Sequence, residues 1–170
     1  LLLSRYDGDL QEGVVELVDL RNFEILHTWN PDIDAFNDLV KQVDEFKYLN
    51  RNGNNKRSLL FHPKLTTHGG LLFGWEKPLR KIDACSNLVF QNSHDKFHHS
   101  IETDIDGNIW TSAGKAIKCF STNHELIGQI KIPELVSNCE FGGKEGNILY
   151  ITATTSLYSI ELNQQGAKWK

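Results

Sequence analysis

The sequence predicts an all-β protein, a β-propeller with four blade-like units and one inserted helix. Four segments each read as strand, short polar turn and strand: Leu17–Leu26, Lys81–Phe90, Cys119–Gly128 and Ile160–Trp169. Three of them follow a further hairpin with glycine at its turn, at Gly69–Gly70, Gly107 and Gly146. Two successive hairpins form a four-stranded antiparallel sheet, and sheets that recur at about 40–50 residues are typical of propeller blades.

The first blade is predicted from three strands, Leu1–Tyr6, Val14–Leu20 and Phe23–Trp29. No innermost strand precedes them, which indicates either a truncated N-terminus or a ring closed by Leu1–Tyr6 on the last blade. The sequence contains no methionine, even at position 1, so we expect a fragment or a processed product. Whether four units complete the ring or belong to a larger one stays open.

The helix is predicted between the first and second blades. Asn30-Pro31-Asp32 is typical of a helix start, because it combines a capping residue, an early proline and early acidic charge. Apolar residues then recur at spacings of three and four, at Ile33, Phe36, Leu39, Val40, Val43 and Phe46. We interpret Pro31–Arg57 as a helical insertion within a single propeller domain or fragment that spans residues 1–170.

Three further blades follow, each with four predicted strands. The second has strands at Leu59–Pro63, Leu71–Trp75, Leu79–Asp83 and Leu88–Gln91. The third has strands at His99–Asp104, Ile109–Ser112, Ile117–Phe120 and Leu126–Ile132. The fourth has strands at Asn138–Phe141, Ile148–Ala153, Leu157–Leu162 and Ala167–Trp169.

Composition narrows the function classes. A formal net charge of -4 argues against a nucleic-acid partner, which would favour a basic surface. No apolar run is long enough to predict a membrane span. Cys85, Cys119 and Cys139 show no metal-binding spacing, so we predict small buried side chains rather than a zinc site.

The densest cluster of ionisable residues marks the candidate site. It comprises His94, Asp95, His98, His99, Glu102, Asp104 and Asp106. His98 and His99 begin a predicted innermost strand, which directs them toward the channel. Neighbouring strand residues face opposite sides, so the two histidines are not expected to serve one site. His98, which enters the strand, is the first candidate catalytic residue, and His99 is the second. Glu102 is the candidate that orients the imidazole or contacts substrate.

Two further residues complete the candidate set. His62 ends an innermost strand of the second blade and is the third candidate catalytic residue. Arg5 is the arginine expected closest to the channel, where it would contact substrate. The alternative is that the histidines pack at blade junctions. Asp104-x-Asp106-Gly107-Asn108 resembles part of a calcium loop, but a tight hairpin turn explains it equally well, and no residue is predicted as a metal ligand.

From Leu1 to about Trp110 the chain resembles the bacterial arylsulfate sulfotransferase-like family. The resemblance lies in LLLSRYDGD, GVVELVDL, ILHTWNPDID, FHPKLTTHGGLLF, PLRKIDACSNLVF and FHHSIETDIDGNIW. It implies a propeller that transfers a sulfuryl group between phenols through a histidine, and a periplasmic or secreted location. Where that family has His-x-Asn, this sequence reads His98-His99-Ser100.

From Asp104 onward the chain is also similar to the gluconolactonase/regucalcin family. The segments are DGNIW, IKCFSTNHELIGQIKIPE, SNCEFGGKEGNILYITATTSLYSIEL and NQQGA. This resemblance implies hydrolysis of a lactone with a divalent metal, calcium or zinc, at the channel. The position of a metal-binding aspartate in that family falls on His99 here.

We therefore expect an arylsulfotransferase-like propeller that binds or transfers a sulfuryl group on a small aromatic molecule at the channel mouth. One alternative is a metal-dependent, gluconolactonase-like lactone hydrolase. Another is a non-catalytic propeller that binds a ligand or a protein, so enzymatic activity stays open. No cofactor is expected, except a divalent metal such as calcium or zinc under the lactonase alternative.

Overall fold

The computed structural model describes residues 1–41, 43–74, 77–97 and 101–169, without the side chains of Glu45, Lys77, His94, Asp95, Lys96 and Trp169. Within these residues the chain is mostly β and has fourteen strands. They are β1 Leu2–Asp7, β2 Glu12–Asp19, β3 Glu24–Trp29, β4 Lys64–Leu65, β5 Leu71–Phe73, β6 Lys77–Ile82, β7 Leu88–Phe97, β8 Ile101–Thr103, β9 Ile109–Ala113, β10 Ala116–Phe120, β11 Leu126–Lys131, β12 Val136–Gly142, β13 Ile148–Ala153 and β14 Leu157–Glu161.

The strands form four antiparallel sheets, each built from strands that are consecutive in the chain. Sheet one contains β1–β3, sheet two β4–β7, sheet three β8–β11 and sheet four β12–β14. The four blade-like units predicted from the repeat are therefore confirmed. No ring closure is seen among the described strands.

One type of hairpin turn recurs in sheets two and three. Each turn contains five residues. The N–H of the first donates to the C=O of the fifth, and the N–H of the fourth donates to the C=O of the first, with N···O distances of 2.8–3.2 Å. The fourth residue always has positive φ, which glycine adopts at no steric cost. The predicted glycine turns at Gly69 and Gly107 fit this geometry, whereas Ser86 and His124 adopt it with a side chain. The turns are Thr66–Gly70, Asp83–Asn87, Asp104–Asn108 and Ser121–Glu125.

The prediction of a single long helix in the insertion is wrong. The segment contains two short helices, α1 Ile33–Asp38 and α2 Leu49–Asn52, with 3-10 turns at Asp44–Phe46 and Asn55–Arg57. The apolar residues divide between two clusters: Ile33 and Phe36 join the core of sheets one and two, whereas Val40, Phe46 and Leu49 pack separately. A straight helix cannot place one apolar face in two cores, so packing overrides the periodicity.

Two predicted strands are also corrected. Leu59–Pro63 is not a strand, because His62 has a left-handed backbone (φ 46°) and Pro63 has no N–H for pairing; β4 begins after them. Ala167–Trp169 forms a 3-10 turn, and Gly166 instead makes an isolated antiparallel bridge with Asp104.

The chain forms two compact units, Leu1–Lys96 and Phe97–Lys170. The first has a core between sheets one and two and α1, which contains Val15, Trp29, Ile33, Phe36, Leu60, Leu71, Phe73 and Ile82. The second has a core between sheets three and four, which contains Trp110, Ile117, Cys119, Ile132, Val136, Cys139, Phe141, Leu149 and Ile151. The prediction of one domain, with an insertion at 31–57, stays a prediction. None of the described helices is long and apolar enough to cross a membrane.

Candidate functional site

The two first candidate catalytic residues, His98 and His99, lie outside the described residues. Glu102 is described and lies in β8, where it is half-buried and opposite Trp110 on β9. β8 is the terminal strand of sheet three, the position expected for an innermost strand. The catalytic role of the histidines and the substrate-binding role of Glu102 stay predictions.

His62 is exposed and lies just before β4, two residues from its first residue. The sequence placed it at the end of an innermost strand, so its position relative to the strand is corrected. Its left-handed backbone turns the chain into the short strand that follows. Its proposed catalytic role stays a prediction.

Arg5 on β1 is held by two carboxylates. Its Nε and Nη2 donate to the two oxygens of Glu16 at 2.9 and 2.6 Å, and Nη2 lies 3.0 Å from Asp7. The hydrogen bonds to Glu16 raise the pKa of Arg5 above its ordinary value. An anionic substrate at Arg5 would have to compete with these carboxylates, so this geometry gives no support to the predicted substrate contact.

The Asp104 carboxylate is fully occupied within the chain. Its Oδ1 accepts from the backbone N–H of Asp106 and Asn108 at 3.1 and 2.9 Å. Its Oδ2 accepts from the Asn108 amide at 2.9 Å and from Trp110 Nε1 at 3.0 Å. Asp104 is 1% exposed. Asp104–Asn108 is therefore a tight hairpin turn, which was the alternative interpretation to a calcium loop.

A divalent metal is implied by the lactonase resemblance, and the described residues do not fit it. They include no group of three or more His, Cys, Asp or Glu side chains able to hold a metal ion. Calcium prefers six or more oxygen ligands, and the oxygens of Asp104 already accept four hydrogen bonds. We therefore derive no catalytic step through a metal.

A buried arginine that sequence reasoning passed over lies in the first unit. Arg80 on β6 is 1% exposed. Its Nε donates to Gln91 on β7 at 2.6 Å, and its Nη2 donates to Asn37 on α1 at 2.7 Å. Its guanidinium carbon lies 5.7 Å from the centre of the Phe36 ring.

Hydrogen bonds extend this contact into a polar network that fixes the insertion to sheet two. The Gln91 amide donates to the Phe36 carbonyl at 3.2 Å, and the Asn37 amide donates to the Gly53 carbonyl at 2.9 Å. The Ser58 hydroxyl also donates to Gly53, at 2.9 Å. The network therefore connects β6, β7, α1 and the residue that follows α2.

A small pocket adjoins the network. Its lining includes Ile33, Ser58, Leu60, Phe73, Pro78 and Arg80. It has room for a group of about the size of a water molecule, with an opening to solvent. The sequence signal for burial of Arg80 was strand alternation along β6. Arg80 lies two residues from Ile82, which is 0% exposed, and so shares its strand face.

Comparison with known protein families gives a match in the second half of the chain. Residues 86–155, less than half of the chain, match the family model "SMP-30/Gluconolactonase/LRE-like region". A solved structure described, provisionally, as a gluconolactonase is 27% identical over 66% of this chain and 42% of its own, with a TM-score of 0.55. Comparison with curated proteins gives no match.

A second solved structure, the WD40 β-propeller domain of Doa1, supports the fold alone. It is 10% identical over 91% of this chain and 48% of its own, with a TM-score of 0.55. The chain thus spans less than half the length of either structure. The matches are to gluconolactonase-like and propeller proteins and give no support to the arylsulfotransferase resemblance. Residues 86–155 are therefore similar to the SMP-30/gluconolactonase/LRE-like region, a β-propeller family.

Proposed function

We propose that the chain is part of a gluconolactonase-like propeller hydrolase that opens the cyclic ester of a sugar lactone. The observation that carries the proposal is the family match over residues 86–155, supported by the 27% identical gluconolactonase-like structure. The matched region runs from the turn before β7 to the end of β13 and includes the whole of sheet three.

The candidate groups are two histidines and a carboxylate. His98 and His99 precede β8 in the sequence, and Glu102 lies within that strand. A neutral imidazole can take a proton from attacking water, and a neighbouring carboxylate can fix its tautomer. The Asp104–Trp110 hydrogen bond stabilises the turn between β8 and β9 and so positions the strand that carries Glu102.

Hydrolysis of D-glucono-δ-lactone by the full chain, followed as acid release at constant pH, tests the proposal. We expect hydrolysis above the spontaneous rate, measured without added metal, with a chelator, and with added calcium, zinc or manganese. A rate that stays at the spontaneous level with every metal would contradict it. A parallel assay with a chromogenic aryl sulfate and a phenol acceptor tests sulfuryl transfer.

A non-catalytic, ligand-binding propeller is the second candidate. It is favoured by the lack of a metal-binding group among the described side chains and by the internal pairing of Asp104 and Arg5. Under this candidate, lactones or aryl sulfates raise the melting temperature without turnover. Turnover that follows the protein through purification would exclude it.

A further inference from the structure

Arg80 is a buried cation that pairs with no carboxylate among the described residues. Its two observed acceptors, the side chains of Asn37 and Gln91, are neutral amides. No carboxylate of the described residues forms an ion pair with it, whereas Arg5 and Arg21 on the surface are both paired. A buried charge is normally paired, because transfer from water without a counter-ion is costly.

The guanidinium keeps its charge under physiological conditions. Burial lowers the pKa of Arg80 to about 10, which still leaves the group protonated at neutral pH. The Phe36 ring offers its face to the cation but supplies no full negative charge. The charge therefore stays uncompensated by the described surroundings.

The guanidinium also has donors to spare. Of its five N–H bonds, one on Nε and one on Nη2 are used by Gln91 and Asn37. Among the described residues no further acceptor binds the remaining donors, and Arg80 itself lines the small pocket. A planar fork of N–H donors suits a carboxylate, and its positive charge suits a halide.

We propose that the pocket beside Arg80 binds a small monovalent anion, a short carboxylate or a halide. The pocket has room for a group of about the size of a water molecule, which suits a halide or the charged end of a short carboxylate whose remainder lies in the opening to solvent. The apolar walls formed by Ile33, Leu60 and Phe73 strengthen the attraction by excluding water. Since Asn37 and Gln91 bind the same guanidinium, the anion also stabilises the attachment of the insertion to sheet two.

The test measures anion binding by the full chain with two probes, 35Cl relaxation for chloride and line broadening of 13C-labelled acetate. Ionic strength is kept constant, and the variants are Arg80→Gln, Arg80→Lys and Arg51→Gln. Arg51 is an exposed arginine of the same insertion, stacked on Tyr48, and serves as the matched control.

We expect wild type and Arg51→Gln to bind equally, and Arg80→Gln to lose at least about tenfold in affinity. Arg80→Lys keeps the charge but lacks the planar N–H donors of the guanidinium, so it should weaken the binding of acetate more than that of chloride. If Arg80→Gln does not fold, the result for Arg80→Lys decides the test. The probe that binds with the higher affinity shows whether the natural anion is a carboxylate or a halide. Equal binding by wild type and both Arg80 variants, or no saturable binding by wild type, would overturn the proposal.

Discussion

Trp110 donates its indole N–H to the buried carboxylate of Asp104 at 3.0 Å, and this bond joins a hairpin turn to a core. The Trp110 ring packs edge-to-face on Phe141 of sheet four, with ring centres 5.8 Å apart. Asp104 in turn accepts from the amides of Asp106 and Asn108. The segment Asp-x-Asp-Gly-Asn-x-Trp thus encodes both the turn and the orientation of the largest side chain in the core of sheets three and four.

Asp104→Ala should destabilise the second unit by about 2–4 kcal/mol, because it leaves the buried indole N–H of Trp110 and the half-buried amide of Asn108 without an acceptor. Asp83→Ala is the matched control. Asp83 accepts the equivalent turn bonds from Cys85 and Asn87 but is half-buried. Urea unfolding monitored by tryptophan fluorescence measures both. A loss for Asp104→Ala no larger than that for Asp83→Ala would contradict the role assigned to Trp110.

Gly13→Ala should destabilise the first unit by about 2 kcal/mol or more, because a Cβ at Gly13 would lie 2.1 Å from the carbonyl oxygen of Ser58. The backbone must then shift where the insertion ends against β2. Gly8→Ala is the control, since a Cβ there meets nothing within 4 Å. Thermal unfolding of the two variants should separate them, and equal melting temperatures would show that β2 and Ser58 are not in close contact.

Removing Arg5 should destabilise the protein, because Glu16, 4% exposed, is left as a buried carboxylate without its cation. Arg5→Gln should therefore be less stable than the double variant Arg5→Gln/Glu16→Gln, in which neither charge remains. The comparison of melting temperatures measures this difference. If the single variant is as stable as wild type and instead loses affinity for an aryl sulfate, Arg5 contacts substrate after all.

Glu134 should make stability depend on pH in acid. Its carboxylate accepts from the hydroxyls of Ser156 and Tyr158 at 2.5 and 2.7 Å and from the Thr155 N–H, which lower its pKa to about 2. Unfolded glutamate has a pKa of about 4.3, so the stabilisation is complete above that pH and is lost as pH falls toward 2.

The difference in melting temperature between wild type and Glu134→Gln should therefore be largest near pH 7 and shrink below about pH 4.3. Glu125→Gln, at an exposed residue of the turn between β10 and β11, is the control and should change the melting temperature little at pH 7. A Glu134→Gln difference that does not change between pH 7 and pH 2 would show that the carboxylate is not held by these hydroxyls.

The repeat predicted the sheets because local pattern and global fold agree in them. Turn residues such as Gly69 and Gly107 mark hairpins whose strands pair with their neighbours in sequence, so short-range signals suffice. The helix from Ile33 to Phe46 was predicted wrongly because periodicity does not reveal that its apolar residues belong to two clusters.

The candidate site could be predicted only in part. Residue type and spacing indicated His98 and Glu102, but the partners of a side chain depend on contacts between distant segments. Arg5 is bound by Glu16 on the neighbouring strand, and Arg80 donates to Asn37, which lies in the insertion more than 40 residues away in sequence. Neither pairing can be recognised in the local sequence, and the strand face that Arg80 shares with Ile82 was a signal that the sequence analysis did not use.

The most direct measurement for the proposed lactonase is the hydrolysis rate of wild type, His98→Ala and His99→Ala, together with their melting temperatures. If the site lies at the start of sheet three, at least one histidine variant should lose lactone hydrolysis by about a hundredfold or more while its melting temperature stays within the range of wild type. Hydrolysis that survives in both variants, or that falls only in proportion to lost folded protein, would contradict a catalytic site there.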